Sequence, residues 1–220
     1  MYYEKDENER YLKEQIITYL GNKRSLLNEI DSIISQIDNT NLTTVDLFSG
    51  SGIVSRLFKK YSKKIIANDL ELYSEIINNC YLSNKSAFNP YFYEYLLAGL
   101  NEVVCNNPIE GVITHYYSPE NDKCIHSGER VFYTRSNAIL IDSYRYYIDK
   151  IIPDDYKKFF LARLLVESSI HVNTSGVFKG FYKDKYTGIG KFGGTGENAL
   201  ARITGKIELS CPVLSNFETE

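Results

Sequence analysis

The stretch Thr43-Thr44-Val45-Asp46-Leu47-Phe48-Ser49-Gly50-Ser51-Gly52 decides how this chain folds. Thr43 to Phe48 is rich in β-branched and aromatic residues, the composition of a short strand. Ser49 to Gly52 then makes a tight turn, after which Ile53, Val54, Leu57 and Phe58 fall on one face of a helix. Glycine has no Cβ to hold a ligand away, so the backbone of such a turn can pass close to whatever binds at the strand tip. The turn also points the first amides of the helix at that ligand.

The flanking segments repeat the pattern. Lys63 to Asp69 reads as a second strand, and Leu70 to Asn84 carries helical spacing through Leu72, Ile76, Ile77 and Leu82. On the amino-terminal side, Leu26, Leu27, Ile30, Ile33, Ile34 and Ile37 predict an amphipathic helix with Ser25 as its cap, preceded by a charged leader to about Gln15. Alternating strands and helices favour a parallel sheet with right-handed crossovers and functional loops at the carboxyl ends of its strands. Two parallel strands are too few for a finished doubly wound sheet, so the expected class is α/β with a partial Rossmann-like core.

Past Ser86 the character changes. A helix is predicted from Pro90 to about Val104, an irregular stretch from Asn106 to Arg130, helices over Asn137 to Ile152 and Asp155 to His171, and a strand near Lys206 to Leu209. The expected organisation is an α/β part, 1–85, a largely helical region, 86–209, and a connection back towards the first part, 210–220.

Composition narrows the class. With 220 residues, 43% hydrophobic and 24% charged, the chain is neither disordered nor fibrous. Met1 to Arg10 lacks the apolar stretch of a secretory signal, and no apolar run approaches the roughly 18 residues of a membrane span. The expected compartment is the cytoplasm, with no membrane partner. Cys80, Cys105, Cys124 and Cys211 form no C-x-x-C pair and are read as reduced thiols. The gaps among Cys105, His115, Cys124 and His126 match no common zinc spacing, so no metal is expected.

The acids select the ligand. A dinucleotide fingerprint wants a third glycine where Ser55 stands, and Asp46 adds negative charge where a pyrophosphate already has it. S-adenosylmethionine has no phosphate and brings a sulfonium and an ammonium that an acidic strand end favours. Asp69 ends the next strand, 23 positions on, where a carboxylate can accept both ribose hydroxyls. A glycine turn with solvated acids is the plain alternative.

Three blocks, Tyr19-Leu20-Gly21-Asn22-Lys23, Asp46 to Gly52, and Asn68-Asp69-Leu70-Glu71, resemble in order the first cofactor motifs of the DNA adenine methylase family, alpha group. The resemblance implies a partial S-adenosylmethionine-dependent methyltransferase core that methylates adenine in a specific sequence of double-stranded DNA, within a restriction-modification system. On that reading Tyr19 lies by the cofactor, where the family usually has Trp. Gly21 belongs to the same block, and Lys23 holds the cofactor carboxylate. Asp46, Phe48, Gly50 and Gly52 form the loop around the methionine part, and Asp69 is the ribose acid. Phe132 to Asn137, Ile141-Asp142 and Asn173 to Phe181 are similar, more loosely, to segments that precede the family's catalytic motif.

Between Gly176 and Lys206 six cations face two acids among eight glycines, with Phe178, Phe181, Tyr182, Tyr186 and Phe192 interleaved. Lys179, Lys183, Lys185, Lys191 and Arg202 are the candidate DNA contacts, cations for phosphates beside aromatics that stack on bases. A mobile solvated loop is the plain alternative. His171 reads as a helix-end histidine favoured by the dipole.

The family's D/N-P-P-Y/F motif, which holds the flipped adenine, has no counterpart here: the sequence has no Pro-Pro pair, and Asn89-Pro90-Tyr91-Phe92 reads as a helix opening. No catalytic residue is assigned. The chain is expected to stop before the catalytic strand, with a carboxy-terminal half or a cognate restriction enzyme as possible partners. Two alternatives stay open: a non-catalytic cofactor- or DNA-binding remnant, and a methyltransferase acting on RNA or a small molecule. Incubated with duplex DNA and S-adenosylmethionine, the 220-residue chain alone should transfer no methyl groups, and robust adenine methylation would overturn this expectation.

Overall fold

The computed structural model describes residues 2–14, 17, 23–37, 41–174, 180–194, 196 and 198–220. Their contacts divide the chain into two compact units. One gathers Met1–Ile16, Gly21–Tyr93 and Cys211–Glu220, and the other Ile17–Leu20 and Glu94–Ser210.

The first unit is built on β1 (Leu42–Asp46) and β2 (Ser62–Ala67), which pair in parallel with Val45 opposite Ile66 and Asp46 opposite Ala67. Both strands stop two residues before the predicted ends, because Leu47 and Phe48 already turn towards the glycines. The crossover is α3 (Ile53–Phe58), whose Ile53 and Val54 are buried beneath Leu27, Ile30 and Phe58. After β2, α4 (Leu72–Tyr81) buries Ile77, Cys80 and Tyr81 on one face while Leu72 stays exposed. On the far side of β2, Glu220 donates its N–H to Lys63 O at 2.7 Å and accepts the Ile65 N–H at 3.2 Å. This brackets Lys64 as a parallel strand does.

Two expectations at the amino terminus are corrected. The charged leader is a helix, α1 (Tyr2–Lys13), and α2 (Leu27–Ile34) follows a 3₁₀ turn, Lys23–Leu26, with no side-chain cap, so Ser25 lies inside the turn. Apolar periodicity could not reveal α1, since a buried cation anchors it. Arg56 of α3 is 2% exposed; its guanidinium lies 3.7 Å from the Tyr81 ring centroid and 5.7 Å from that of Tyr11. Its Nη1 donates to Tyr11 O and Glu14 O, both at 3.2 Å, closing the end of α1. Tyr11 itself is buried and donates its hydroxyl to Tyr81 O at 2.6 Å. Lys59, one turn on, is likewise buried and caps the end of α4 through Leu82 O, Ser83 O and Asn84 Oδ1.

The second unit is helical: the remainder of α5 (Pro90–Asn106), α6 (Val112–Tyr117), α7 (Arg135–Ile151), α8 (Asp154–Ile170) and α9 (Ala199–Thr204). Thr134 caps α7 by accepting the Asn137 N–H, and Pro153 separates α7 from α8, whose first turn carries Asp154 and Asp155 against the dipole. Within the stretch predicted irregular, α6 forms because Asp142 of α7 accepts the N–H groups of Gly111, Ile113 and Thr114 and the Thr114 hydroxyl. The strand expected at Lys206 to Leu209 is absent among the described residues. Ile207 and Leu209 are buried, but Asn137 Oδ1 takes the Ile207 N–H at 3.1 Å in place of a strand partner.

Removing Arg56 strands two carbonyls and two ring faces. Arg56→Ala should cost about 3 kcal/mol in urea unfolding. Arg56→Lys should recover little, because an ammonium cannot lie flat on a ring while bonding two carbonyls. An unchanged midpoint would contradict the anchoring of α1.

Candidate functional site

Parallel pairing brings the two strand tips side by side. Asn68 N–H donates to Asp46 O at 2.8 Å, and Ser49 N–H donates to Asn68 O at 3.0 Å, so the hydrogen-bond ladder continues past the strands into the glycine turn. Gly50 and Gly52 have φ of 51° and 71°, the left-handed region that glycine enters without strain.

The two acids then divide. Asp69 Oδ2 accepts the Gly50 N–H at 2.8 Å and its Oδ1 accepts the Glu71 N–H at 3.1 Å, so the carboxylate ties the glycine turn to the start of α4. Each oxygen keeps a lone pair for a further donor. Asp46 Oδ2 accepts the hydroxyl of Ser55 at 2.7 Å. Ser55 therefore stands in the third-glycine position as a donor that orients the strand-end acid, a role that spacing alone could not disclose.

Lys23 Nζ reaches Phe48 O at 3.3 Å, placing a cation on the loop's rim. Phe48 is 77% exposed and Leu70 is 93% exposed, so apolar surface flanks the tips on both sides. The structure thus brings together Lys23, Asp46, Phe48, Gly50, Gly52 and Asp69. Tyr19 and Gly21 lie outside the described residues. Sequence reading missed Ser49, Ser74 and Asn78, which form a buried hydrogen-bonded cluster behind the turn. Asn89-Pro90-Tyr91-Phe92 opens α5, with Asn89 Oδ1 accepting the Phe92 N–H.

In the second unit, Tyr182 to Lys191 forms a tight hairpin. Lys191 N–H donates to Tyr182 O, Asp184 N–H donates to Ile189 O, and Asp184 Oδ1 accepts the Tyr186 and Thr187 N–H groups. Its tip, Tyr186, is 91% exposed. Asn173 holds the base by donating to Val131 O and Lys191 O.

The candidate cations are not equivalent. Lys183 sits over the Phe181 ring, Lys185 is exposed on the hairpin, and Lys191 pairs with Asp184 at 3.7 Å. Arg202 of α9 is directed inwards, its Nη1 donating to Ile170 O and Val172 O at the end of α8. Lys179 lies outside the described residues. His171 ends α8 with Nδ1 against Arg202 O at 2.6 Å.

A glycine turn and two acids at adjacent parallel strand tips mark an α/β protein with a candidate site at the carboxyl edge of its small sheet. The chain belongs to the family described as D12 class N6 adenine-specific DNA methyltransferase, which matches residues 19–193. It is 34% identical over 179 residues to Type II methyltransferase M.NlaIII of Neisseria lactamica, covering 76% of this chain and 50% of that protein. With Type II methyltransferase M.CviAII of Paramecium bursaria Chlorella virus 1 the figures are 33% over 177 residues, 76% and 49%. With Modification methylase LlaI of Lactococcus lactis subsp. lactis they are 30% over 179 residues, 75% and 27%. The chain thus spans about half the length, or less, of these relatives. No solved structure matches. Methyltransferases of this kind use S-adenosylmethionine as methyl donor. No described helix is long and apolar enough to cross a membrane.

The Gly50 N–H, then the Glu71 N–H, hold the Asp69 carboxyl below its ordinary range, with a smaller pull from Lys23. Since the folded value lies below the unfolded one, the stability it contributes is complete above about pH 3.9 and is lost as pH falls through the lower folded value. Carboxyl NMR should show Asp69 titrating below about 3.9. Titration at or above that value would mean that the two amide bonds are not made in solution.

Proposed function

We propose that this chain supplies the cofactor-binding part, and much of the target-recognition region, of an enzyme that transfers a methyl group from S-adenosylmethionine to the exocyclic amine of adenine in double-stranded DNA. Its setting is a cytoplasmic restriction-modification system. In this reading 1–85 is a partial Rossmann-like core, 86–209 the recognition insertion, and 210–220 the return to the core.

The bond of 2.8 Å from Gly50 N–H to Asp69 carries the reading. It ties the loop suited to a methionine moiety to the acid suited to a ribose, so one ligand containing both groups can engage them together. The donor set fits that ligand. Lys23 offers a cation to a carboxylate, Asp69 keeps lone pairs for hydroxyls, and Asp46 places negative charge near a cationic centre. Exposed Phe48 and Leu70 offer apolar surface to a purine. Bound S-adenosylmethionine would supply an electrophilic methyl group on its sulfonium, and Tyr19 and Gly21 are assigned to the same cofactor by their match to the family motif alone. Lys183, Lys185 and Lys191 on the hairpin, with Lys179 before it, are the proposed phosphate contacts. Arg202, already bonded to two carbonyls, supports the end of α8 near them in sequence. No Pro-Pro pair occurs in the sequence, so the groups that hold the acceptor amine are assigned to no residue here.

Titration calorimetry tests the reading. S-adenosylmethionine should bind the wild-type chain, and Asp69→Ala should weaken it about tenfold to a hundredfold, the loss expected for a hydrogen bond to a charged group. Equal heats for both variants would remove Asp69 from the site, and absence of binding to wild type would remove the cofactor reading itself.

A further inference from the structure

We propose that Asn78 is a positioning residue for the glycine loop: its side chain, from behind, fixes the backbone path of Ser49 to Gly52 on which the cofactor reading rests. Asn78 lies on α4 one turn after Ser74 and is 8% exposed. Its Nδ2 donates to Ser74 O at 2.9 Å and lies 3.0 Å from Ser49 Oγ and 3.1 Å from Ser74 Oγ. A main-chain oxygen can only accept, so the orientation of the carboxamide is settled by Ser74 O. Nitrogen faces the two serines, and Oδ1 faces the turn.

Among the described residues Oδ1 has no hydrogen-bond partner, and it lies 2.5 Å from where a Cβ on Gly52 would stand. A buried amide oxygen left unpaired is costly, so its retention calls for a reason. The reason is the space it fills. Gly52 takes its left-handed φ of 71° with the carboxamide directly behind it, and that wall leaves the turn no room to relax backwards onto α4. The second half of the device is Ser49, whose hydroxyl reaches Asn68 O at 3.1 Å and Ser74 Oγ at 3.2 Å. One buried cluster thus touches the glycine turn, the end of β2 and the helix that follows Asp69.

Glycine at 52 is accordingly demanded by Asn78 as much as by any ligand in front of the loop. A side chain that merely packs α4 would affect melting alone, whereas one that positions the loop must affect affinity well below the melting temperature.

The test is calorimetry of the full chain with S-adenosylmethionine, alongside thermal melting. Asn78→Ala should weaken binding roughly tenfold at a temperature where the variant is fully folded, the order of loss seen when a supporting neighbour of a binding group is removed. The neighbouring exposed substitution Asn79→Ala should leave affinity unchanged. Gly52→Ala should also weaken binding, and adding Asn78→Ala to it should cost less than the two single losses combined, because the clash is removed with the carboxamide. If wild type binds and Asn78→Ala binds equally well, or if the Gly52 and Asn78 losses simply add, the positioning role is overturned while the cofactor reading stands. If wild type does not bind, the reading itself has failed, and the proposal with it. Should Asn78→Ala not fold, Ser74→Ala keeps the carboxamide and removes one of its partners. Weaker binding then supports the role, and unchanged affinity overturns it.

Discussion

The hydrogen bond from Gly50 N–H to the Asp69 carboxylate is the constraint on which the rest of the site depends. Parallel pairing of β1 with β2 sets the two tips next to each other, but pairing alone ends at Asp46 and Ala67. Beyond that point the Asn68 and Ser49 main-chain bonds and the Asp69 carboxylate carry the order onwards into the turn. A carboxylate accepting two amide protons is a stronger tie than a neutral side chain could make. It does so with lone pairs to spare, so the acid can hold the loop and still meet a ligand.

Buried cations give this small sheet its frame. The crossover helix α3 is only six residues long, and Arg56 within it and Lys59 just past its end are both buried. The first closes the end of α1 and the second closes the end of α4. Both work by giving donors to carbonyls that helix ends leave without partners. The acids at the strand tips take no part in these contacts, since Arg56 and Lys59 are met chiefly by main-chain oxygens and, for Arg56, aromatic faces.

What could be read from the sequence was whatever is local. The strand, turn and helix around Asp46 to Gly52 are legible because β-branched residues, glycines and helical spacing lie within a dozen positions, and α7 and α8 follow from long helical patterns. Elements held by distant partners were not legible. Nothing near Tyr11 announces Arg56, and nothing near Val112 announces that Asp142, 28 to 31 residues away, caps its helix. Ile207 alternates with Leu209 as a strand would, yet Asn137 claims its amide from 70 positions away. The same holds at the site. Asp46, Gly50 and Asp69 stood out by type and place, whereas Ser55, Ser49 and Asn78 are ordinary residues whose meaning comes only from what they face.

The central claim is that the paired strand tips bearing Asp46 and Asp69 suit a positively charged nucleoside-type methyl donor better than a phosphate-bearing nucleotide. Amide NMR of the labelled chain, titrated separately with S-adenosylmethionine and with ATP, tests it most directly. The account requires saturable shifts of the Gly50, Gly52 and Asp69 amides with the sulfonium compound and weak, non-saturating ones with the triphosphate. Equal or stronger response to ATP at those three amides would contradict it.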